Sequence, residues 1–544
     1  MNPAHSHSLV IGAGVSGLLL SLELVRTGQK VTLIDRDSAD RIGGLARWAF
    51  GGMALCQTDE QQKSGIPDSP ELLLKDWLGV GKLKSTDIWP NKWAEVYARE
   101  NKTQVYDWLK AEGFRFLPAV SWPERGDYQP GNSVPRYHIL WGTGRELVEK
   151  LVEKLQPFMT KGLLEIHHEH RVDHLLESNG IVCGVSGVNE SNQQTFNMTA
   201  DRVVVATGGI NGSIEQLIKH WPHQGRTTQQ DVLNGAHPNS DGAMHYEAKR
   251  LGANLTHLNS MWNYAAGISH PQAHFPGHGL SLVPCKSALW MNHRGERIGP
   301  DPMVTGFDTS QLCERLSHLE RPWTWHILNW KIACKELAIS GSEHNPAIAD
   351  HNLPRLIMEL LLGNKALVKR MLAESEDFLV ADNVSGLVKK MNELTGTQDV
   401  EEQTLQSEID QYDAQYLRPE KFWNDDQIRR IQNIRQWKSD KLRTLYPQAI
   451  TKKENGPLMA IRLRYINRKS LGGIQTDLSC QVLNGDNQPI TGLYAIGEAA
   501  GFGGGGVCGK STLEGTFLSC CILTARKCAE AITETSTETM VEAS

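Results

Sequence analysis

Residues 8–35, SLVIGAGVSGLLLSLELVRTGQKVTLID, decide the fold class of this chain. A short apolar run at 8–11 leads through a glycine-rich turn into an apolar segment at 18–27, and a second apolar run follows at 30–34. These runs predict two buried strands joined by a buried helix. Asp35 stands directly after the second strand, 18 residues beyond Gly17. This order of strand, glycine turn, helix, strand and acid is typical of a dinucleotide-binding unit.

The glycine turn has the pattern G-x-G-x-x-G, and each glycine has a different expected task. Gly12 makes the tight turn, Gly14 lets the backbone approach a pyrophosphate, and Gly17 lets the helix pack closely on the strand. The helix N-terminus attracts the anion, and Asp35 is placed to accept the ribose hydroxyls. We therefore expect cofactor contacts at Gly12, Ala13, Gly14, Val15, Ser16, Gly17, Asp35 and Arg36.

A second glycine-rich stretch, residues 41–53, follows closely after Asp35. A nicotinamide cofactor has no need of it, whereas a longer ligand with a ribityl chain and a flat ring requires a second close approach of the backbone. The alternative is that these are ordinary loop glycines. The first interpretation predicts FAD, with contacts at Gly43, Gly44, Leu45, Ala49, Gly51, Gly52 and Met53.

Length, charge and cysteine content exclude several classes of protein. The 544 residues are enough for two or more lobes, and a net charge of −6 argues against a nucleic-acid partner. Ten cysteines without a C-x-x-C pair predict reduced thiols in the cytoplasm, with no disulfide framework and no metal site. The uncharged run 8–22 is not preceded by Lys or Arg and is short for a membrane span, so we expect no signal peptide and no membrane insertion.

The pattern along the chain predicts two domains, one of them discontinuous. We assign 1–267 to the first part of a cofactor domain, 268–460 to an inserted domain, 461–532 to the completion of the first domain, and 533–544 to a disordered tail. Within the inserted domain, three stretches have the composition of helices, at 323–339, 353–373 and 425–445.

Residues 504–511, GGGVCGKS, match the phosphate-loop pattern G-x-x-x-x-G-K-[ST]. A phosphate loop follows its strand directly, but here the apolar strand ends at 496, and the 33 residues after Ser511 contain no strand for a magnesium-holding acid. Ser511 and Glu514 instead form an S-x-x-E capping box, which predicts a helix beginning at Thr512. The positive end of that helix would stabilise negative charge on a bound ring.

Several motifs occur in a characteristic order: VIGAGVSGLLLSLEL, VTLIDRD, VVVATGG, NSDGAM, SLGGIQTD and GLYAIGEAAG. In this the chain resembles the FAD-dependent fumarate reductase, succinate dehydrogenase and 3-ketosteroid Δ1-dehydrogenase superfamily. The resemblance implies an α/β fold, with a doubly wound Rossmann-like FAD-binding domain and an inserted α+β capping domain. It also implies hydride transfer between a substrate carbon and flavin N5. With it we place further FAD contacts at Val172, Ala206, Thr207, Gly208, Asp241, Gly497, Glu498, Ser511, Thr512 and Leu513.

The chain departs from the superfamily pattern at positions that matter for substrate choice. Leu45 stands where respiratory members attach flavin through histidine, so the resemblance implies non-covalent FAD. Lys469 and Thr512 stand where fumarate reductases have a histidine and an arginine for the dicarboxylate, which argues against fumarate. Ketosteroid dehydrogenases have a tyrosine after a Gly-Pro pair, and here Leu458 follows Pro457, so Δ1-dehydrogenation is not secured.

Five residues are candidates for catalysis: Arg464, Tyr465, Lys469, Cys508 and Tyr264. Arg464 or Lys469 would hold an anionic or carbonyl substrate, and Tyr465 would act as acid or base. Cys508 is a candidate proton donor or redox-sensitive thiol, and Tyr264 is a further polar candidate. Arg464, Tyr465 and Lys469 stand in one predicted strand, and for them the alternative is a solvated strand face or a hinge. For Cys508 and Tyr264 the alternative is packing.

These observations predict an FAD-dependent dehydrogenase or ene-reductase that acts on a carbon–carbon bond next to a carbonyl or acid group. The expected partners are a small-molecule substrate and an unknown electron donor or acceptor. Three alternatives remain: a 3-ketosteroid Δ1-dehydrogenase-like activity, a flavoprotein whose FAD is structural or serves a partner protein, and a phosphate-loop nucleoside triphosphatase.

Overall fold

The computed structural model describes residues 6–225 and 232–541, with backbone alone for 535–541. Its strands are β1 His7–Ile11, β2 Lys30–Ile34, β3 Gly52–Ala54, β4 Tyr137–Ile139, β5 Leu164–His167, β6 His170–Ser178, β7 Ile181–Asn189, β8 Thr195–Thr199, β9 Arg202–Val205, β10 Val232–Asn234, β11 Leu255–Thr256, β12 Met261–Ser269, β13 Gly279–Val283, β14 Leu289–Met291, β15 Trp323–Asn329, β16 Ala338–Ile339, β17 Phe378–Ala381, β18 Leu458–Ser470, β19 Gly473–Ile474, β20 Gln481–Leu483 and β21 Pro489–Ala495.

The helices lie mostly in the first 160 residues and in the inserted segment. They are α1 Val15–Arg26, α2 Gly44–Trp48, α3 Asp59–Lys63, α4 Pro70–Gly81, α5 Ile88–Glu100, α6 Trp108–Ala111, α7 Thr143–Thr160, α8 Ile214–Lys219, α9 Ala243–Arg250, α10 Thr309–Ser317, α11 Trp330–Glu336, α12 Pro346–Ala349, α13 Leu353–Leu362, α14 Lys365–Glu374, α15 Val384–Thr395, α16 Glu402–Asp413, α17 Asp426–Ile434, α18 Lys438–Arg443 and α19 Thr516–Val541.

A six-stranded sheet in the order β20-β21-β9-β1-β2-β5 forms the centre of the predicted cofactor domain. All its pairs are parallel except β20 with β21. Helices α1, α7 and α19 pack on one face, and the antiparallel strands β6-β7-β8 cover the other. Residues 9–11 and 203–205 are buried because both faces of a parallel sheet are covered, which explains their continuous apolar runs.

The cap is built on an eight-stranded sheet in which β18 is the central strand. Its ladder runs β14-β15-β18-β12-β13-β16, and β10 and β17 also pair with β18. The expected domain boundaries at 267/268 and 460/461 lie inside β12 and β18, so this sheet extends beyond 268–460 on both sides. The end of β18 therefore carries residues from the cap sheet directly into the predicted cofactor domain.

Two secondary-structure expectations are corrected. The stretch 323–339 is not one helix: it forms β15, α11 and β16, because residues 323–329 pair along β18. The last helix begins at Thr516, not at Thr512. It continues to Val541 and so covers most of the segment expected to be a disordered tail, while 542–544 lie outside the described residues.

Candidate active site and cofactor cavity

The three glycines of the first turn have separate structural tasks. Gly12 has φ +103°, and a Cβ there would lie 2.5 Å from the Ala206 carbonyl oxygen. A Cβ at Gly17 would lie 1.9 Å from the Gly12 carbonyl oxygen, so only glycine lets α1 sit this close to the turn. A Cβ at Gly14, in contrast, meets nothing within 4 Å, because this residue borders an open cavity.

That cavity has an empty volume of about 1360 Å³ including its open mouth. It runs over the carboxyl ends of β1, β2 and β9, where ligands bind in open α/β sheets. Of the residues that sequence analysis placed on the cofactor, those that line it are Gly12, Gly14, Val15, Ser16, Asp35, Arg36, Gly43, Gly44, Leu45, Ala49, Val172, Ala206, Thr207, Gly208, Asp241 and Glu498. One of the five catalytic candidates, Lys469, lines it as well.

The other expected cofactor residues do not line this cavity in the described structure: Ala13, Gly17, Gly51, Gly52, Met53, Gly497, Ser511, Thr512 and Leu513. Gly497 packs against Ser16, which lines the cavity, and Gly51 packs against the first turn of α7. The cavity is also lined by residues that sequence analysis missed, among them Asp37, His237, Asn239, Ser240, Arg468, Phe502, Phe517, Leu518 and Cys521.

Asp35 is held by the backbone around the glycine turn. Its carboxylate accepts hydrogen bonds from the amides of Ala13 at 2.5 Å and Asp37 at 2.7 Å. Burial raises the pKa of Asp35, while these two amides oppose the shift. The neighbouring Asp37 carboxylate pairs with His237 at 2.9 Å, and that contact lowers the pKa of Asp37. Each carboxylate oxygen of Asp35 keeps a second lone pair for a ligand hydroxyl.

Two cations at the end of β18 border the opposite end of the cavity. The Lys469 ammonium lies 4.3 Å from the centre of the Phe517 ring and makes no ion pair among the described residues. Burial and the adjacent Arg468 lower the pKa of Lys469. Arg468 donates to the Gly235 carbonyl at 2.8 Å, but its Nε is buried without a partner in the described part of the chain. This end of the cavity therefore has unused donors and positive charge.

Glu498 closes the same end from the loop after β21. Its Oε1 accepts from the backbone amide of Ser470 at 3.0 Å, and a Cβ at Gly209 would lie 2.5 Å from that oxygen. Burial raises the pKa of Glu498, while Lys469 opposes the shift. A carboxyl group whose pKa is close to neutral pH can donate or accept a hydrogen bond, and so suits the hydroxyl groups of a bound ligand.

The predicted capping box does not form, and this moves the helix end that faces the cavity. The Glu514 side chain is engaged by donors from β12, so it does not turn back on Ser511. Helix α19 instead begins at Thr516, and Phe517 and Leu518 in its first turn line the cavity. The positive helix end is therefore four residues further along than the sequence predicts, and Ser511, Thr512 and Leu513 form the loop before it.

Glu514 joins two aromatic side chains beside Phe517. Its Oε2 accepts from the Tyr264 hydroxyl at 2.8 Å and from Trp262 Nε1 at 2.9 Å. Burial and Glu514 both raise the pKa of Tyr264, while Arg468 opposes the shift. Strand β12 is irregular on both sides of Tyr264, and bulges of this kind often redirect side chains near active sites. Sequence analysis identified Tyr264 but missed Glu514, whose capping-box spacing concealed it.

Arg464 and Tyr465, like Tyr264, do not line the cavity in the described structure, and both have partners inside the cap. Arg464 pairs with the fully buried Asp377 at 3.1 Å, so its charge serves the interior of the cap. The Tyr465 hydroxyl lies 2.8 Å from His223 Nε2 and accepts from Asn263 Nδ2 at 2.9 Å. The alternation of β18 separates these two side chains, as expected, but both are occupied by structural partners.

Cys508 is fully buried in the glycine loop and does not line the cavity. Burial raises the pKa of this thiol to about 11, although the hydroxyls of Thr512 and Thr516 oppose the shift. A thiol with such a pKa is almost entirely protonated at neutral pH and is a poor nucleophile. Its burial agrees with packing, the alternative noted from the sequence, and a role as proton donor stays a prediction.

A cluster of cap histidines lies beside the Trp48 ring, which contacts the rings of His274 and His278. His270, His274 and His278 each bring a ring nitrogen within 4.8 Å of the others, and His270 Nε2 lies 2.9 Å from Glu343. The Nδ1 atoms of His270 and His278 accept backbone amides, of Gln272 and His274, so their Nε2 atoms carry the protons. The cluster is thus arranged for hydrogen bonding, and the expected absence of a metal stays a prediction.

Among the described residues, no helix is long and apolar enough to cross a membrane.

Comparison with known proteins gives consistent matches across the chain. The family model described as FAD binding domain matches residues 7–518. The KsdD-like steroid dehydrogenase MT0809 of Mycobacterium tuberculosis is 37% identical over 538 residues, which is 95% of this chain and 94% of that protein. The KsdD-like steroid dehydrogenase of Mycolicibacterium smegmatis is also 37% identical, over 95% of this chain and 96% of its own length.

The fold also matches solved structures. A 3-ketosteroid Δ1-dehydrogenase from Sterolibacterium denitrificans has a TM-score of 0.70 at 15% identity, covering 98% of this chain and 100% of that one. A flavocytochrome c3 fumarate reductase in an open conformation has a TM-score of 0.66 at 18% identity, covering 98% of this chain and 78% of that one. The chain belongs to the FAD-binding-domain family, and it is an FAD-dependent oxidoreductase that transfers hydride between a carbon–carbon bond and the flavin.

Proposed function

We propose that the chain is a dehydrogenase of 3-ketosteroids or ketones of similar shape, with Tyr264 and Glu514 as its proton-transfer pair. The mycobacterial relatives named KsdD-like steroid dehydrogenases support the substrate class. The observation that carries the residue assignment is the 2.8 Å hydrogen bond from Tyr264 to Glu514, beside the Phe517 end of the cavity. Arg464, Tyr465 and Cys508 are not part of this proposal.

The cavity fits FAD by the chemistry of its lining. The amides at the start of α1 and the open space at Gly14 would take the pyrophosphate, and Asp35 would accept the ribose hydroxyls. Glu498 would hydrogen-bond the ribityl chain, and the first turn of α19 with Lys469 would lie at the ring. Leu45 lines the cavity without a nucleophilic atom, which supports non-covalent binding.

Removal of hydrogen next to a ketone requires a base for the proton on the α carbon. Glu514 would take this proton, either directly or through the phenol of Tyr264, because a carboxylate hydrogen-bonded to a phenol can pass a proton across the pair. Trp262 donates to the same oxygen and fixes its direction. Bound FAD supplies the acceptor for the hydride that leaves the neighbouring carbon.

The developing negative charge on the substrate carbonyl needs a nearby donor. Arg468 has a buried Nε without a partner among the described residues, and the Lys469 ammonium has no carboxylate partner there. Preorganised donors of this kind stabilise an enolate-like transition state without reorganisation. One C–H bond thus delivers a proton to the Tyr264–Glu514 pair, the other delivers hydride, and a carbon–carbon double bond forms.

The test is the product of a ketosteroid incubation. Holoenzyme would be mixed with 4-androstene-3,17-dione, or with its saturated 5α analogue, and an artificial electron acceptor. The proposal predicts a product two mass units lighter, formed at a rate that falls steeply in Tyr264→Phe. An enzyme that retains FAD but forms no such product from either steroid contradicts the substrate class. The electron acceptor and the cytoplasmic location remain predictions.

A further inference from the structure

Helix α13, Leu353–Leu362, turns its apolar side chains toward solvent. Among its residues Leu353 is 52% exposed, Ile357 47%, Met358 54%, Leu361 64% and Leu362 71%. No residue of the helix is buried. A surface helix of a globular protein normally packs its apolar stripe against the core, so this orientation is the reverse of the usual one.

The exposed side chains form one continuous face. Leu353, Ile357 and Leu361 recur at intervals of four residues, and Met358 and Leu362 follow the same interval beside them. The charged pair Arg355–Glu359, 2.8 Å apart, lies along one edge, so the outer side is left apolar. Such a contiguous apolar patch on a protein surface marks an interaction site.

The face continues onto α18, Lys438–Arg443, which contacts α13. Leu442 and the following Tyr446 are each 47% exposed. Both line a groove with an empty volume of about 1260 Å³ including its open mouth, and residues 118–120 of the FAD domain form its far wall. The groove therefore opens at the seam between the two domains. We call the five exposed residues of α13, together with Leu442 and Tyr446, the apolar face.

Basic side chains border the apolar face at the groove and at the end of α13. Lys335, Arg435, Lys438 and Lys441 line the groove, and Lys365 follows α13. We call these five residues the basic rim. Of the nearby carboxylates, Glu359 and Asp440 are paired with Arg355 and Arg125, and Glu420 hydrogen-bonds to Tyr446. The rim is thus locally positive although the whole chain has a net charge of −6.

We propose that the apolar face and its basic rim dock the protein on an anionic lipid surface. An amphipathic helix with apolar side chains on one side and lysines at its border binds in the plane of a membrane interface, where lysine stems reach back to the headgroups. A second copy of the chain is the less suitable occupant, because a symmetric contact would bring the two basic rims together. The proposal does not depend on the identity of the substrate.

Flotation of FAD-loaded protein with vesicles tests the docking face. The vesicles would be phosphatidylcholine alone or equal parts of phosphatidylcholine and phosphatidylglycerol. We expect binding to the mixed vesicles, weak binding to the neutral ones, and a loss of about tenfold in partitioning for Leu361→Asp/Leu362→Asp. Lys438→Glu/Lys441→Glu should lower the partitioning and its salt dependence together. The matched control is Leu417→Asp, since Leu417 is 90% exposed and lies outside the face.

Retained flavin absorbance establishes that each variant is folded, so a change in flotation reports on the surface alone. Absence of flotation with mixed vesicles would overturn the proposal, as would equal partitioning of the wild type and Leu361→Asp/Leu362→Asp. Light scattering, which measures molar mass, tests the alternative occupant. If the wild type is a dimer and the same double substitution makes it a monomer, the apolar face binds a second copy and the proposal is wrong.

Discussion

The Tyr264 hydroxyl donates to Glu514 Oε2 across 2.8 Å, although the two residues are 250 positions apart in the chain. The contact brings a residue of the cap sheet to the loop before α19, beside the end of the cofactor cavity. It exists because β12 is irregular at Tyr264 and because α19 begins after Glu514.

Removing either partner should slow hydride transfer while FAD stays bound. For Tyr264→Phe and for Glu514→Gln we expect the rate of flavin reduction to fall about 10²- to 10⁴-fold, the usual contribution of a positioned acid or base. The matched control is Tyr465→Phe, because Tyr465 is also buried but hydrogen-bonds to His223 and Asn263 away from the cavity. If Tyr465→Phe were as slow as Tyr264→Phe, the assignment of the pair would be wrong.

Gly14→Leu should remove FAD without unfolding the protein. Its side chain would occupy the open space beside the first turn of α1, where the pyrophosphate is expected. We expect the FAD dissociation constant to rise at least about a hundredfold, measured as the flavin-to-protein absorbance ratio after dialysis. Gly485→Leu is the control, since a Cβ at Gly485 also meets nothing within 4 Å and Gly485 is not among the residues that line the cavity. Equal flavin retention in both variants would contradict the cofactor position.

His138 should make the protein sensitive to acid. Burial lowers the pKa of this histidine from 6.5 to about 4, and its ring bonds Thr58 and the Arg136 carbonyl. Between pH 6.5 and about 4 the unfolded chain binds a proton that the folded chain does not, so the free energy of unfolding falls as pH falls. The stabilisation lost is up to about 3 kcal/mol. Urea unfolding of His138→Asn should show a shallower acid decline, and an unchanged slope would exclude this cause.

Arg464→Gln should affect stability rather than catalysis. Asp377 is fully buried and keeps Arg462 as a second partner at 2.6 Å, so the loss is smaller than that of a fully broken buried pair. We expect the free energy of unfolding to fall by about 1–3 kcal/mol, with ketosteroid turnover within about twofold of wild type. Turnover and thermal unfolding of the same preparation check this, and a large loss of turnover at unchanged stability would restore Arg464 to the active site.

The local sequence was sufficient to predict the structure of the glycine turn at residues 12–17. The roles of Gly12 and Gly17 follow from backbone geometry within a few residues, and the structure shows the close contacts that exclude a Cβ at both. Asp35 could also be placed, because the carboxyl end of a parallel strand adjoins the neighbouring glycine turn. These features need no information from distant parts of the chain.

The Phe517 end of the cavity could not be predicted in the same way, because residues distant in the chain determine its contacts. The spacing of Ser511 and Glu514 indicates a capping box, but the Glu514 carboxylate accepts hydrogen bonds from Trp262 and Tyr264 instead. The sequence predicts that Arg464 is free to bind substrate on a strand face. In the structure it pairs with Asp377, 87 residues earlier in the chain. Tertiary hydrogen bonds and ion pairs of this kind override local propensity.

The most direct test of the central claim is anaerobic mixing of FAD-loaded enzyme with 4-androstene-3,17-dione or its saturated 5α analogue while the flavin absorbance is followed. The account predicts that at least one of these steroids bleaches the flavin band in wild-type enzyme. It also predicts that Tyr264→Phe bleaches at least about a hundredfold more slowly with the same FAD content. A flavin band unchanged by both steroids, or bleached equally fast in Tyr264→Phe, would contradict it.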